Sequence, residues 1–280
     1  MSRAVFLVPG LLYVTIFMAV PILFVFSYAF LTKGTYGGVR LSLSLESFTR
    51  ALSPVYLSVL GNTLLIATVT TVLALLIGYP VAYAIAKLPD KWRTIAVVLI
   101  VLPFWSNFLI RTYAWILLLN SEGIINKGLL AVGIVDEPVS LLYNRQAVIV
   151  GLLYAYLPLM ILPLYASMER LDWSLVEASR NLGASRIRAF LDVTLPLTLP
   201  GAMIGAIFVF VPSMGNFVVP ELLGGGKTVM VGNLIRDQFL KARDWPFGSV
   251  LALSMVLFLV LLFALQAYIS RRINGGKDRA

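Results

Sequence analysis

Neither cysteine nor histidine occurs anywhere in the 280 residues. The first absence excludes disulfides and thiolate metal sites; the second removes the commonest general base and the commonest metal ligand. Charge is scarce as well, at 12% of residues against about 25% in soluble domains. The 13 acids all fall outside the long apolar runs, so no carboxylate dyad sits in a dry site. No serine–base pair stands out either. Catalytic residues and metal ligands are therefore expected to be none, and the chain reads as a non-enzyme. One phosphate-loop lookalike, Gly224-Gly-Gly-Lys-Thr228, fails because the motif's leading glycine position is Glu221, and because it follows a membrane helix rather than a strand.

What fills the chain instead is apolar, 60% of all residues. That excess defines an integral membrane protein. The net charge of +9 belongs to loop lysines and arginines that orient helices and meet anionic lipid headgroups, with no call for nucleic acid. A spanning helix needs about 20 mostly apolar residues. Six stretches qualify, at 5–31, 56–86, 94–119, 146–167, 197–220 and 248–270. The first is too long for the core of a signal peptide and lacks a small-x-small cleavage site, so it reads as a retained helix. With six spans, both termini lie on one side. Placing them in the cytoplasm puts twelve basic residues inside against nine outside. The inside ones crowd short loops and helix ends, notably the Lys87–Arg93 turn and Arg271-Arg272, with Lys277 and Arg279 beyond.

The longer outer segments are 32–55, 120–145 and 221–247. Within them, 123–133 suits a short amphipathic helix, and Trp245-Pro-Phe-Gly248 an aromatic-anchored turn into the last span. Glu221 and Asp244 lie closest to helix ends and so could attract a cation, with solvated loop charge as the default expectation. Inside the spans, Gly78, Pro80, Pro103, Pro158, Pro163, Gly201, Gly205, Pro212 and Gly215 predict interrupted helices, close helix packing or a path lining. Arg111 is the one charge expected within a span. It suits a substrate or gate contact, or pairing with carbonyls or a partner's carboxylate. Around it stand Phe104, Trp105, Asn107, Tyr113 and Trp115, whose rings either pack helices or attract an ammonium group.

Between the fourth and fifth spans lies the longest polar passage, a loop over 168–196 built as a short helical hairpin. Leu171, Leu175, Ala178 and Leu182 recur at helical spacing as one apolar stripe. Ser174 with Glu177 fits a capping box, Gly183 a left-handed stop, Ser185 a second cap, and Pro196 and Pro200 the entry to the next helix.

Glu177-Ala178-Ser179, Gly183 and Val193-x-Leu195-Pro196 resemble the cytoplasmic loop motif of binding-protein-dependent ABC importer permeases. The family pattern is Glu-Ala-Ala, then Gly, then Ile-x-Leu-Pro, so Ser179 and Val193 are conservative departures. Ala86-Lys-Leu-Pro89, Leu102-Pro-Phe-Trp-Ser-Asn107, Leu109-Ile-Arg-Thr-Tyr113, Pro196-Leu-Thr-Leu-Pro-Gly201 and Arg243-Asp-Trp-Pro-Phe-Gly248 are similar to blocks of the spermidine/putrescine permeases, most of all the first-permease type.

The resemblance implies an all-α membrane protein, a single permease domain over 1–280 of the type I ABC importer permease fold, in the bacterial inner membrane. It implies that the 168–196 loop is a coupling helix seated on a separate ABC ATPase dimer. The other implied partners are a second homologous permease and an extracytoplasmic solute-binding protein. No cofactor is expected on this chain; ATP and Mg²⁺ belong to the ATPase. The function implied is polyamine import by alternating access. An opine or amino-acid-like solute is the alternative cargo, and a secondary transporter the alternative machine. Trp105 is implied to line the path, with Asn107, Arg111, Tyr113, Trp115, Pro212, Met214 and Asn216 as further candidates.

Overall fold

The computed structural model describes residues 3–275, so Lys277 and Arg279 lie outside the described residues. In chain order the elements are α1 (Arg3–Tyr28), β1 (Leu31–Lys33), β2 (Val39–Leu43), α2 (Glu46–Ala51), α3 (Pro54–Ala86) and α4 (Asp90–Val101). Then come a 3₁₀ turn (Leu102–Trp105), α5 (Phe108–Leu119), α6 (Ile124–Ala131), α7 (Arg145–Glu169), α8 (Trp173–Asn181) and α9 (Arg186–Ala189). A π-helical turn (Phe190–Thr194), α10 (Leu195–Gly215), α11 (Val218–Gly224), α12 (Val231–Leu240) and α13 (Trp245–Gly275) complete it. Six helical stretches among the described residues are long and apolar enough to cross a membrane.

The prolines act unevenly. Pro80 sits inside α3, and Pro158 and Pro163 inside α7, without breaking either helix. One lost hydrogen bond is tolerable where neighbouring helices or waters can take up the freed carbonyl. The third span does break: instead of one helix over 94–119, α4 and α5 are separated by the 3₁₀ turn and by extended Ser106 and Asn107. Pro103 alone does not cause this. Asn107 Oδ1 accepts from the backbone N of Leu109 and of Ile110 and so starts a new helix. The fifth span likewise ends at Gly215 rather than at 220, because extended Asn216 caps the next turn by accepting from Val219 N at 2.9 Å. The expected turn at 245–248 is already helical, since Asp244 Oδ1 accepts from Phe247 N at 3.3 Å.

The chain packs as two compact units. The first comprises residues up to Leu60 and from Val231 onward. In it α13 packs on α1, α2 and α12, and β1 pairs antiparallel with β2. Asp244 is buried here rather than solvated, with Arg50 Nη1 at 2.8 Å and Lys33 Nζ at 3.9 Å. The Arg50 guanidinium also lies 3.9 Å from the Phe247 ring centroid. Burial disfavours its charge, but hydrogen bonds to Tyr56 and Asp244 outweigh that and raise its pKa.

The second unit, Gly61–Met230, is built around α7 and α10. Met160, Ile161, Leu164 and Met168 of α7 pack with Ala202 and Val209 of α10 and with Ala74, Ala82 and Ile85 of α3. Gly201 and Gly205 let α10 approach α7 closely. A second cluster joins Val148 and Leu152 to Val219 and Leu223 of α11. The short α6 forms where the amphipathic segment is expected. Its buried Asn126 donates to the carbonyls of Asn120 and Val139 and accepts from Val139 N, which satisfies the local backbone.

Candidate functional site: the polar hairpin and the broken spans

The hairpin begins two residues earlier than a Ser174–Glu177 capping box requires. Asp172 takes the cap, its Oδ1 accepting from Ser174 N at 3.0 Å. Bonds from Ser174 hold the Asp172 carboxyl below the ordinary aspartate range. Its contribution to the helix start is therefore present above that range and lost as pH falls through the lowered value.

At the other end Gly183 adopts φ +91°, Gly183 N donates to Arg180 O at 3.0 Å, and Ala184 N to Ser179 O at 3.1 Å. This pair of bonds is the left-handed stop that a glycine permits. Ser185 then caps α9, accepting from Arg188 N at 3.3 Å. α9 leads through the π-turn into α10, and Pro196 stands in the first turn of α10, the entry position its spacing predicts. The wider turn, with Leu195 N donating to Phe190 O, accommodates the proline's missing donor.

The apolar stripe does not turn inward. Leu171 is buried, but Leu175 and Ala178 are exposed, and Leu182 is 90% exposed. Ile187 on the second limb is 72% exposed. Glu177, Gly183 and Pro196 are also exposed, and Ser179, Val193 and Leu195 are half-buried. Apolar side chains displayed on an otherwise polar projection mark a surface shaped for another protein.

The broken third span places its residues differently. Trp105, in the 3₁₀ turn, is 82% exposed. Asn107 is occupied as the α5 cap, and Tyr113 is exposed. Arg111 Nη2 donates to Ser106 O at 3.3 Å, and its guanidinium lies 5.8 Å from the ring centroids of both Phe104 and Tyr154. Its Nε is buried without an acceptor. Trp115 meets Tyr154 edge-on at 5.5 Å. Pro212 and Asn216 line an open cavity of about 360 Å³ with Tyr156, Gly215, Phe217 and Val218, whereas Met214 is fully buried and presents no surface. Asn216 Nδ2 donates to Tyr156 Oη at 2.8 Å. Tyr154 and Tyr156 were not among the expected site residues. Their one sequence signal is a Tyr-x-Tyr pair just before Pro158.

Apolar spans, one of them broken, and a capped polar projection carrying exposed apolar residues describe a membrane protein with a surface for another protein. Residues 74–275 match the family of binding-protein-dependent transport system inner membrane components, and the chain belongs to that family. It is a multi-pass inner-membrane protein. Among its relatives, the spermidine/putrescine transport system permease protein PotB of Escherichia coli (strain K12) is 39% identical over 262 residues, covering 94% of this chain and 95% of that protein. PotB of Haemophilus influenzae is 40% identical over 258 residues, covering 92% and 90%. In fold the chain is similar to a chain of a bacterial ABC transporter involved in the import of the acidic polysaccharide alginate, with TM-score 0.75, 17% identity and coverage of 96% and 94%. It matches equally well a chain of the alginate transporter in complex with its pentasaccharide-bound periplasmic protein, with TM-score 0.75 and 18% identity.

Proposed function

We propose that this chain is one of two permease subunits in an ATP-driven importer of spermidine and putrescine. The observation that carries the machinery is the hairpin. It bears Glu177, Ala178, Ser179, Gly183, Val193, Leu195 and Pro196 in the family spacing and displays Leu182 and Ile187 outward. The hairpin docks on a dimer of separate ATPase subunits in the cytoplasm, where both termini also lie. ATP and Mg²⁺ bind there, and this chain holds no cofactor. A binding protein delivers cargo on the other side, and the two permeases alternate access by moving their spans as rigid bodies. The cargo reading rests on the identity to the PotB proteins along nearly the whole chain.

With no carboxylate in its spans, this subunit meets a polycation through aromatic faces such as Trp105, Tyr113 and Trp115 and through main-chain carbonyls near Pro212 and Asn216. The second permease supplies acids. One observation favours another cargo. Arg111, with a buried Nε–H lacking an acceptor, suits a solute that carries its own carboxylate, such as an opine or amino-acid derivative. Competition in the assembled complex separates the two. Unlabelled putrescine in large excess over its own dissociation constant is expected to suppress labelled spermidine uptake by at least about tenfold. Suppression by an opine or amino acid, with indifference to putrescine, would overturn the polyamine reading.

A further inference from the structure

The hairpin is fastened to the spans by residues outside its motif. Tyr79, Tyr83 and Lys87 recur every fourth residue at the end of α3 and just past it, so the two tyrosines share one helix face. Tyr83 meets the ring of Trp173, the first residue of α8, edge-on at 5.7 Å and 71°. Lys87 Nζ lies 4.3 Å from the Tyr83 ring centroid and 5.2 Å from that of Trp173, within the range of cation–π attraction. On the second limb, Phe190 of the π-turn stands edge-on to Tyr79 at 5.6 Å and to Tyr83 at 6.3 Å. The fully buried Thr198 hydroxyl donates to Thr194 O at 2.8 Å, so Tyr79 Oη is the donor in its 2.7 Å bond to Thr198 Oγ1. Below this row the corner is braced by Arg93, which donates to the carbonyls of Ala86 and Leu88 and pairs with Asp90 and with Glu169 at the end of α7.

We propose that this aromatic row transmits the ATPase stroke, by holding both limbs of the hairpin to α3 so that α3, α8 and α10 move as one body. The covalent links alone are compliant. Residues 170–172 are a short non-helical connection, and the second limb passes through the wide π-turn before Pro196. A displacement of α8 would otherwise be absorbed in those two places. Trp173 and Lys87 are thus positioning residues, acting through the hairpin rather than on cargo or nucleotide. The inference rests on the docking role of the hairpin and adds the route by which force leaves it.

The test uses the complete complex, with ATPase subunits and binding protein, in proteoliposomes supplied with labelled spermidine. Trp173→Ala is expected to retain its ATPase subunits and to hydrolyse ATP, yet to import at least about tenfold less spermidine per ATP. Trp173→Phe should restore most of that ratio, because it replaces the edge-to-face partner, and Lys87→Met should fall between. An unchanged ratio in Trp173→Ala overturns the proposal. So does a loss of ATPase co-purification in that variant, which would make Trp173 a docking contact, and so does a failure of Trp173→Phe to rescue. Failure of the docking reading itself shows separately, as an unmodified permease that purifies without ATPase subunits.

Discussion

Replacing Gly183 with valine is expected to strip the ATPase subunits from the permease and to lower ATP-driven uptake by about a hundredfold, the equivalent of roughly 2.7 kcal/mol. Two effects add. Gly183 stands at φ +91°, where a side chain costs roughly 1–2 kcal/mol and a β-branched one is worst placed. A Cβ there meets nothing of this chain within 4 Å, so the permease itself offers no clash. The added bulk projects instead from an exposed turn between Leu182 and Ile187, where the partner's groove must close. Asparagine tolerates the left-handed region, so Gly183→Asn is expected to keep most co-purification and uptake. Co-purification followed by uptake measures both steps. A valine variant with normal values in both would remove the hairpin from the ATPase interface.

The second large effect is on stability. Gly201 and Gly205 form a small-xxx-small face of α10 against α7. A Cβ on Gly201 would overlap the Ser167 side chain and lie 2.6 Å from the Pro163 carbonyl oxygen. On Gly205 it would lie 2.8 Å from Met160 Sδ and 3.0 Å from the Met160 carbonyl oxygen. A thioether yields easily, but backbone carbonyls of a packed helix do not, so the two helices must separate. Gly201→Val is expected to cost about 3 kcal/mol or more and to lower the thermal midpoint of the purified complex by about 5–10 °C. Gly61 of α3 is the control. Nothing lies within 4 Å of its would-be Cβ, so Gly61→Ala should leave the midpoint unchanged or slightly raised. Equal loss in both variants would mean that the α7–α10 seam is not what Gly201 protects.

Much of this architecture is legible in the chain because membrane spans advertise themselves by length and apolarity. The stop at Gly183 and the cap at Ser185 are equally local, since each bonds within a few residues. Two kinds of feature escape such a reading. The first is competition between local signals. Ser174 and Glu177 have capping-box spacing, but Asp172 lies two residues ahead with a carboxylate that reaches Ser174 N first. Asn107 likewise turns a proline of the kind that α3 and α7 absorb into a true break. The second is anything set by residues far apart in sequence. Periodicity finds the Leu175–Leu182 stripe but not that it faces outward, because a docking face and a core face have the same spacing. Tyr156 with Asn216, and Trp173 with Tyr83, are partners that only the packed helices bring together.

On the proposed function, this chain moves solute only when a separate ATPase drives it through the hairpin. The most direct measurement is labelled spermidine uptake into proteoliposomes holding either this chain alone or the full complex with binding protein. Uptake is predicted only in the full complex, only with ATP and Mg²⁺, and unchanged when ion gradients are collapsed. Uptake by this chain alone, driven by an ion gradient without ATP, would contradict it.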